Sequence, residues 1–387
     1  MRNQNILVFI FCLFVLEVVA ILNSYVVNLK GASVDAERFI EHAIQWMQFG
    51  EWQFATNSEF FIQFLGAIFL VFGPSEFIAT QFGLLALLVS GLYFERLINI
   101  LGYSLPFWAV LGFFLWPSLL TRVTTTMREP YMILFLVLIT YFAAKYKVTK
   151  RPVEIVKLFA VSVLALFFHK AYAILTLGAI TYTAFFVMEQ RVHFLRSKIF
   201  YLRIAIVLTG VLGFSSLFVL GADARGLQPL IATLSGDTEF MTRVLDWKSS
   251  REFRTTYDAV LDFSTPLSLI LSAPKVMLYY LFAPFPWQVA NALDLLASIE
   301  GLFRLGGIWI IVRYGFVRKS LPRASQPVFV IATLLIIIWA AGTSNYGTAS
   351  RHHITTNWVF LMAYVLRFGS PKRVRRHQIG HPTGTVA

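Results

Sequence analysis

The sequence predicts an all-α, polytopic integral membrane protein with about ten transmembrane helices. Hydrophobic residues occupy 57% of its 387 positions and charged residues only 14%, a composition that soluble domains do not have. Apolar runs recur along the chain, and 38 Phe with 9 Trp suit lipid-facing helices flanked by interfacial aromatic belts. We therefore expect most of the chain to lie within a bilayer.

The first apolar run follows Arg2 and is interpreted as an uncleaved anchor. Its length of about seventeen residues exceeds a usual signal-peptide core, and no clear cleavage site follows it. Glu17 in its middle is costly in hydrocarbon, so we expect this side chain to face protein and to be hydrogen-bonded. The ten predicted spans are residues 6–22, 77–94, 105–120, 131–146, 155–168, 171–188, 202–221, 297–314, 328–341 and 354–366.

Two other apolar stretches, residues 60–72 and 267–282, are interpreted as surface or re-entrant helices. If neither spans, the basic connections between spans share one side, which the positive-inside rule assigns to the cytoplasm together with both termini. If either stretch spans, the topology of everything after it inverts. The basic positions that define the cytoplasmic side are Arg96, Lys145, Lys147, Lys150, Arg151, Arg191, Arg196, Lys198, Arg313, Arg318, Lys319, Arg323, Lys372, Arg373, Arg375 and Arg376.

The predicted organisation is two transmembrane modules and a tail. Residues 1–150 form the first module, with an outer loop at 23–76. Residues 151–370 form the second, with an outer loop at 221–296, and residues 371–387 are a basic cytoplasmic tail. The net charge of +13 is accounted for by membrane lipids of the anionic inner leaflet and requires no nucleic acid. The single cysteine, Cys12, excludes an intrachain disulfide and a cysteine metal cluster.

The first outer loop carries an acid at the head of an amphipathic helix. Ser33 is a suitable cap, and Asp35 falls in the first turn, where the helix dipole favours acids. On this interpretation the helix lies along the membrane surface. Local helix electrostatics alone is the simpler explanation of Asp35. The apolar stripe of this helix is Phe39, Ile40, Ala43, Ile44 and Met47.

Three further polar segments fall on the outer side of the same topology. Polar groups at membrane depth are costly, so their convergence with Asp35 indicates a cavity. The structural alternatives are that Arg128 pairs with Glu129, that Lys170 snorkels to the interface, and that Arg351 holds a helix end. The polar side chains of these segments are Arg122, Arg128 and Glu129, then His169 and Lys170, then Arg351, His352 and His353.

These residue types suit chemistry on a phosphate ester. Arg and Lys can hold a phosphate or pyrophosphate, and a carboxylate can take a proton from an attacking hydroxyl. Two other features are less specific. Residues 221–266 form a polar outer segment long enough to be a lid, and Glu300 with Arg304 has the spacing of a simple intrahelical ion pair.

The order of parts in residues 1–150 resembles the amino-terminal module of the GT-C superfamily, polytopic glycosyltransferases that use polyprenyl-linked sugars on the extracytoplasmic face. The matching parts are the first span, Asp35, the helices around 37–49 and 60–72, and the phrases VFGPSEFIATQFGLLALLVSGLYFERL, LPFWAVLGFFLWPSLL and MREP. In that family the first-loop Asp acts as a base or binds a metal, which by resemblance falls on Asp35, and the second-loop acid falls on Glu129. The segment NYGTASRHH resembles segments of bacterial polysaccharide-assembly membrane proteins, including Wzy-like repeat-unit polymerases. In those proteins, basic residues are thought to hold the lipid pyrophosphate.

Two departures from the family pattern limit what the resemblance implies. Ala36 follows Asp35 where the family often has a second acid, so a divalent cation, Mg²⁺ or Mn²⁺, stays open. The large soluble domain of oligosaccharyltransferases is absent, which points to a small acceptor, a lipid-linked glycan or a partner subunit.

The function expected from the residues and the resemblance is glycosyl transfer in the inner (cytoplasmic) membrane of a bacterium, with the active site outside. A polyprenyl-(pyro)phosphate sugar is the donor, a glycan or lipid is the acceptor, and polysaccharide-assembly proteins are candidate partners. Asp35 and Glu129 are the expected catalytic acids. Three alternatives are a Wzy-like polymerase, a transporter or flippase for lipid-linked sugars, and a non-catalytic assembly subunit. The expected substrate- and phosphate-binding residues are Arg128, His169, Lys170, Arg351, His352 and His353.

Overall fold

The computed structural model describes residues 3–26, 33–169, 171–172, 178, 256, 259, 261–262, 265–343 and 345–372. Over these residues the protein is all-α, as the sequence predicts. A π-helical segment, Ile311–Val317, continues the helix Ala292–Ile310. The helices, numbered here in chain order, are α1 (Asn3–Tyr25), α2 (Ser33–Phe49), α3 (Ser58–Phe72), α4 (Glu76–Ile100), α5 (Phe107–Phe114), α6 (Pro117–Val123), α7 (Glu129–Thr149), α8 (Pro152–Phe168), α9 (Pro266–Phe282), α10 (Ala292–Ile310), α11 (Gln326–Gly342) and α12 (Tyr346–Phe368).

Several of these helices have the length and composition of membrane spans. Within the described residues, five helices are long and apolar enough to cross a membrane. Two more apolar helices, Ser58–Phe72 and Ile270–Phe282, are shorter. The described structure is therefore compatible with a helical membrane protein. The five candidate spans are Asn5–Tyr25, Glu76–Ile100, Glu129–Thr149, Ala292–Val317 and Arg323–Gly342.

The predicted number of ten spans is not confirmed. Five predicted spans fall within the five helices above, but residues 171–188 and 202–221 lie outside the described residues apart from 171, 172 and 178. Residues 155–168 belong to α8, which has 17 residues. Residues 354–366 belong to α12, whose 23 residues begin with polar turns.

Residues 105–120, predicted as one span, are not one continuous helix. The segment forms two short helices, α5 and α6, with a break after Phe114. Pro117 opens α6, and Trp116 before it has extended backbone with φ −58° and ψ 127°. Proline lacks the N–H that a continuing helix needs and keeps the preceding residue out of helical conformation. The broken helix positions α6 and its Arg122 beside the start of α7.

Glu17 faces protein, as predicted for an acid within an apolar run. Its Oε2 accepts a hydrogen bond of 2.8 Å from Gln81 Nε2 on α4. The bond joins α1 to α4 and removes the cost of an unpartnered acid in this environment.

Six of the described helices have one of their ends on the same side of the bundle, which we call the site end. The helices that end there are α1, α8 and α11, and those that begin there are α4, α7 and α12. Asn23 Nδ2 near the end of α1 donates to Thr124 Oγ1, just before α7, at 2.7 Å. The Asn57 N–H before α3 donates to Phe167 O on α8 at 2.6 Å. Thr343 Oγ1 after α11 lies 3.1 Å from His352 Nδ1 on α12. Predicted polar segments from distant parts of the chain therefore meet here.

Basic connections lie at the opposite end of the bundle. Lys145 Nζ pairs with Glu154 Oε1 at 3.0 Å where α7 turns into α8. Lys147 Nζ donates to Gln326 Oε1 at the start of α11 at 2.8 Å, and Lys372 N after α12 donates to Gly102 O after α4 at 2.8 Å. This distribution of charge is the one that the positive-inside rule requires if the site end is extracytoplasmic.

The α2–α3 hairpin covers the site end. The predicted apolar stripe of α2 packs against α3 and the adjoining turns of α4 and α7, so this face of α2 contacts protein. Phe61 of α3 is fully buried and meets the Phe39 ring edge-on at 5.1 Å. Phe168 at the end of α8 stacks on Tyr131 of α7 at 5.2 Å in the same cluster. The packing fixes α2, and with it Asp35, over the starts of the long helices.

Close packing of α4 on α5 gives a test of the fold. A Cβ on Gly91 would lie 2.2 Å from Phe114 Cζ, whereas nothing lies within 4 Å of a Cβ on Gly342. We expect Gly91→Ala to destabilise the protein by about 1–3 kcal/mol through overpacking, and Gly342→Ala to leave stability unchanged. Thermal unfolding of both variants in detergent measures this. Equal midpoints for the two variants would contradict the α4–α5 packing.

Candidate functional site

Arg351 bridges two acids from distant parts of the sequence. Its Nε donates to Glu129 Oε1 at 3.0 Å, and its Nη1 donates to Asp35 Oδ2. The planar guanidinium can serve two carboxylates at once because its donors are held in a fixed fork. The bridge joins α2, α7 and α12, and it brings together three residues that the sequence predicts for the site.

The two acids of the bridge differ in exposure. The Asp35 side chain is 47% exposed and that of Glu129 only 4%, with Arg351 between them at 20%. Asp35 is therefore the acid that a substrate can reach. Glu129 lies behind Arg351, where it can hold the guanidinium in place but has little access to a substrate.

Local sequence explains how each member of the bridge is positioned. The Asn345 side chain accepts a hydrogen bond from Thr348 N at 2.7 Å and caps α12, so Arg351 lies in the second turn of that helix. Glu129 opens α7 with Pro130 next to it, an arrangement favoured at helix starts for both residue types. Asp35 lies in the first turn of α2.

Two more arginines flank the bridge. Arg128 Nη1 donates to Asn57 Oδ1 and also lies 3.5 Å from Ser58 Oγ. It makes no ion pair with Glu129 in the described part of the chain, so the simple alternative that these neighbours pair with each other is not what the structure shows. Arg122 Nη2 donates to Ser350 Oγ at 3.0 Å, one residue before Arg351.

The flanking arginines are partly withdrawn from water. Burial and the positive charge of Arg351 together lower the pKa of Arg122 to about 10, against the opposing effect of Glu129. Burial also lowers the pKa of Arg128. Both guanidinium groups stay charged at neutral pH. Three guanidinium groups therefore face two carboxylates, which leaves a net positive charge at the site.

Aromatic and imidazole rings form a wall beside the arginines. The His352 ring stacks on Trp339 with centroids 4.9 Å apart and an interplanar angle of 12°. His169 meets the same Trp339 edge-on at 5.9 Å and lies 6.1 Å from His352. Burial, followed by the charge of Arg128, lowers the pKa of His169 well below its usual 6.5, so this ring is neutral at neutral pH.

The remaining predicted residues do not join the network. His353 is 2% exposed and packs against the Tyr280 ring of α9 with centroids 4.7 Å apart, on another face of α12. Lys170 lies outside the described residues. Glu300 and Arg304, expected to form a simple pair, lie 3.8 Å apart but also bind other helices. Glu300 accepts from Ser118 N at 2.9 Å, and Arg304 Nε donates to Leu281 O at 2.8 Å.

Sequence reasoning missed Asn57 and Trp339. Asn57 has φ 66°, a conformation that non-glycine residues rarely adopt, and it receives the Arg128 side chain. An Asn-Ser pair before an apolar run is a helix-start signal, so Asn57 could have been noticed. Trp339 sits in an apolar run with no local signal for its contact with His352.

The described part of the site offers few ligands for a divalent cation. The described residues contain no group of three His, Cys, Asp or Glu side chains that could hold a metal ion. The two acids that come together already share the Arg351 guanidinium, and Arg122 and Arg128 add further positive charge nearby. A hard cation prefers several oxygen ligands without competing cations, and the described donor set does not supply them.

The chain matches no protein-family model, no curated protein and no solved structure in searches of each kind.

The bridge predicts that removing Arg351 alone destabilises the protein more than removing Arg351 together with the charge of Glu129. Arg351→Met leaves Glu129 buried without its cation, which should destabilise the protein by about 3–5 kcal/mol. The double variant Arg351→Met/Glu129→Gln removes the uncompensated charge and should recover at least half of that loss. Thermal unfolding measures both, with Arg38→Met on the exposed face of α2 as the control. A double variant no more stable than Arg351→Met would contradict the Glu129–Arg351 contact.

Proposed function

We propose that the protein is a membrane glycosyltransferase that moves a sugar or glycan from a polyprenyl-(pyro)phosphate donor to an acceptor hydroxyl on the extracytoplasmic face. The observation that carries this proposal is the direct contact between the half-exposed Asp35 carboxylate and the Arg351 guanidinium at the site end. A carboxylate and a guanidinium in contact could act as a proton acceptor and a phosphate-binding group, the two functions that such a transfer needs. The resemblance of residues 1–150 to the GT-C amino-terminal module supports the same class.

The proposed reaction uses Asp35 as the general base. The acceptor oxygen attacks the anomeric carbon of the donor sugar, Asp35 takes the hydroxyl proton, and the bond from that carbon to the phosphate oxygen breaks. The electron pair leaves with the phosphate. A positioned carboxylate base contributes about 10²–10⁴-fold to such steps.

The arginines would stabilise the leaving phosphate. Arg351, Arg128 and Arg122 converge on one end of the bundle with an excess of positive charge over the two acids. Preorganised cations in a partly desolvated site stabilise developing negative charge strongly. A phosphate would also compete with Asp35 for Arg351, and this competition would free the carboxylate to act as a base once the donor is bound.

Glu129 has a positioning role in this mechanism. It is buried, and its contact is with Arg351 Nε. It holds the guanidinium while Asp35 and the phosphate exchange on the other donors. Neutral His169 and the stacked pair of His352 and Trp339 would bound the phosphate site on the side of α11.

A repeat-unit polymerase is the second candidate, and the central place of Arg351 favours it. In that mechanism the donor is a whole glycan on pyrophosphate, and the arginines matter more than the carboxylate. Loss of function on Arg351→Lys with normal function on Asp35→Asn would support the polymerase. The reverse result would support the base mechanism.

Replacing the accessible acid tests the proposed base. In a strain that lacks the native gene, Asp35→Asn should insert normally yet reduce formation of the surface glycan by about 10²-fold or more. The polyprenyl-linked donor should then accumulate in lipid extracts, where mass spectrometry identifies it. Glu41→Gln, which changes another exposed acid of α2, should behave as wild type. Normal glycan and no accumulated lipid intermediate in Asp35→Asn would remove Asp35 from the mechanism.

A further inference from the structure

A cavity lies where α2 ends and α3 begins, separate from the Arg351 bridge. It has a volume of about 350 Å³ and opens to solvent, which is within the size range of small-molecule sites. Its lining combines aromatic rings, one carboxylate and two amides, and it contains no Lys or Arg. The residues that line it are Trp46, Phe49, Gly50, Glu51, Gln53 and Gln63.

The Trp46 ring is built into the wall of this cavity. Its Nε1 donates to Glu51 O at 3.1 Å. A Cβ on Gly66 of α3 would lie 2.2 Å from Trp46 Cε3, so the ring rests directly on the α3 backbone where only glycine leaves room. The ring also meets Trp52 edge-on at 4.9 Å. A flat aromatic surface is therefore fixed in position before any ligand arrives.

Polar groups complete the cavity. Gln63 is only 6% exposed, and its Oε1 accepts a hydrogen bond of 3.2 Å from Gln53 N. This bond fixes the side chain, and its amide nitrogen has no hydrogen-bond partner among the described residues. Glu51 is exposed at the rim. The site thus offers an amide donor and a carboxylate acceptor next to an aromatic face.

We propose that this cavity binds a neutral saccharide. Sugar hydroxyls both donate and accept hydrogen bonds, which suits an amide beside a carboxylate, and the apolar face of a pyranose ring suits a fixed indole. A phosphate or an anionic lipid headgroup would meet Glu51 without a compensating cation, so the charge of the lining disfavours both.

The position of the cavity assigns the saccharide to the acceptor. Trp46 follows Asp35 by eleven residues on α2, a distance of about 16 Å along the helix axis. An extended oligosaccharide held at Trp46 can reach the proposed base, while the phosphate of the donor stays at the arginines. The assignment of this saccharide as the acceptor rests on the proposed function, whereas the proposal that the cavity binds a saccharide does not.

Binding is tested with the purified full chain in detergent. An array of neutral bacterial oligosaccharides identifies the strongest binder, and saturation-transfer NMR then gives its Kd for each variant. We expect Trp46→Phe, Glu51→Gln and Gln63→Leu each to raise that Kd about tenfold. Trp287→Phe changes an exposed tryptophan elsewhere and should leave it unchanged. Because Glu51 is exposed, Glu51→Gln keeps the test meaningful if a variant at a more buried position fails to fold.

Three results would overturn the inference. The first is that wild type binds no saccharide of the array, and the second is that all three cavity variants bind as wild type does. The third is that short-chain phosphatidylglycerol displaces the saccharide from wild type and binds less well to Trp46→Phe and Gln63→Leu, which would make the cavity a lipid-headgroup site. The Asp35→Asn variant separates the two proposals. If this variant binds the saccharide and still transfers the sugar, Asp35 is not the base but the saccharide site in the cavity stands. If Asp35→Asn loses transfer and the cavity variants lose saccharide binding, both proposals are supported.

Discussion

The buried carboxylate of Glu129 is the constraint on which the arrangement of the site end depends. A charge that is 4% exposed needs a partner, and Arg351 supplies it from a helix more than two hundred positions later in the chain. Once Arg351 is committed to Glu129, its remaining donors point to Asp35. One ion pair therefore fixes α7 against α12 and also determines where α2 must lie.

The burial of Glu129 also distinguishes the two acids and the three arginines of the site end from one another. Two acids contact one arginine, but only Asp35 combines that contact with exposure. Three arginines share the site end, but each has its own anchor: Arg351 on two carboxylates, Arg128 on Asn57 and Arg122 on Ser350. Neutral side chains anchor two of the three, so their positive charges are not cancelled locally. The site end is thereby suited to an anion.

The sequence was informative where physical rules are local or act on long apolar runs. Hydropathy predicted helical membrane structure, and the cost of burying Glu17 predicted its protein contact with Gln81. The convergence of Asp35, Glu129 and Arg351 followed from topology alone. The break before Pro117 also has a local signal, because proline cannot continue a helix. Contacts set by three-dimensional packing could not be predicted: the binding of Glu300 to Ser118 and of Arg304 to Leu281, and the stacking of Trp339 on His352. His353 was misleading because adjacent positions on a helix point about 100° apart.

The sidedness of the site end tests the central claim most directly. In a Cys12→Ala background, single cysteines at Glu41 and Glu59 mark the site end, and cysteines at Lys150 and Ser370 mark the basic end; all four positions are exposed. An impermeant maleimide applied to intact spheroplasts should label the first two, and should label the other two only after the membrane is permeabilised. Labelling of positions 41 and 59 only after permeabilisation would place Asp35 and the arginines in the cytoplasm and contradict transfer on the outer face.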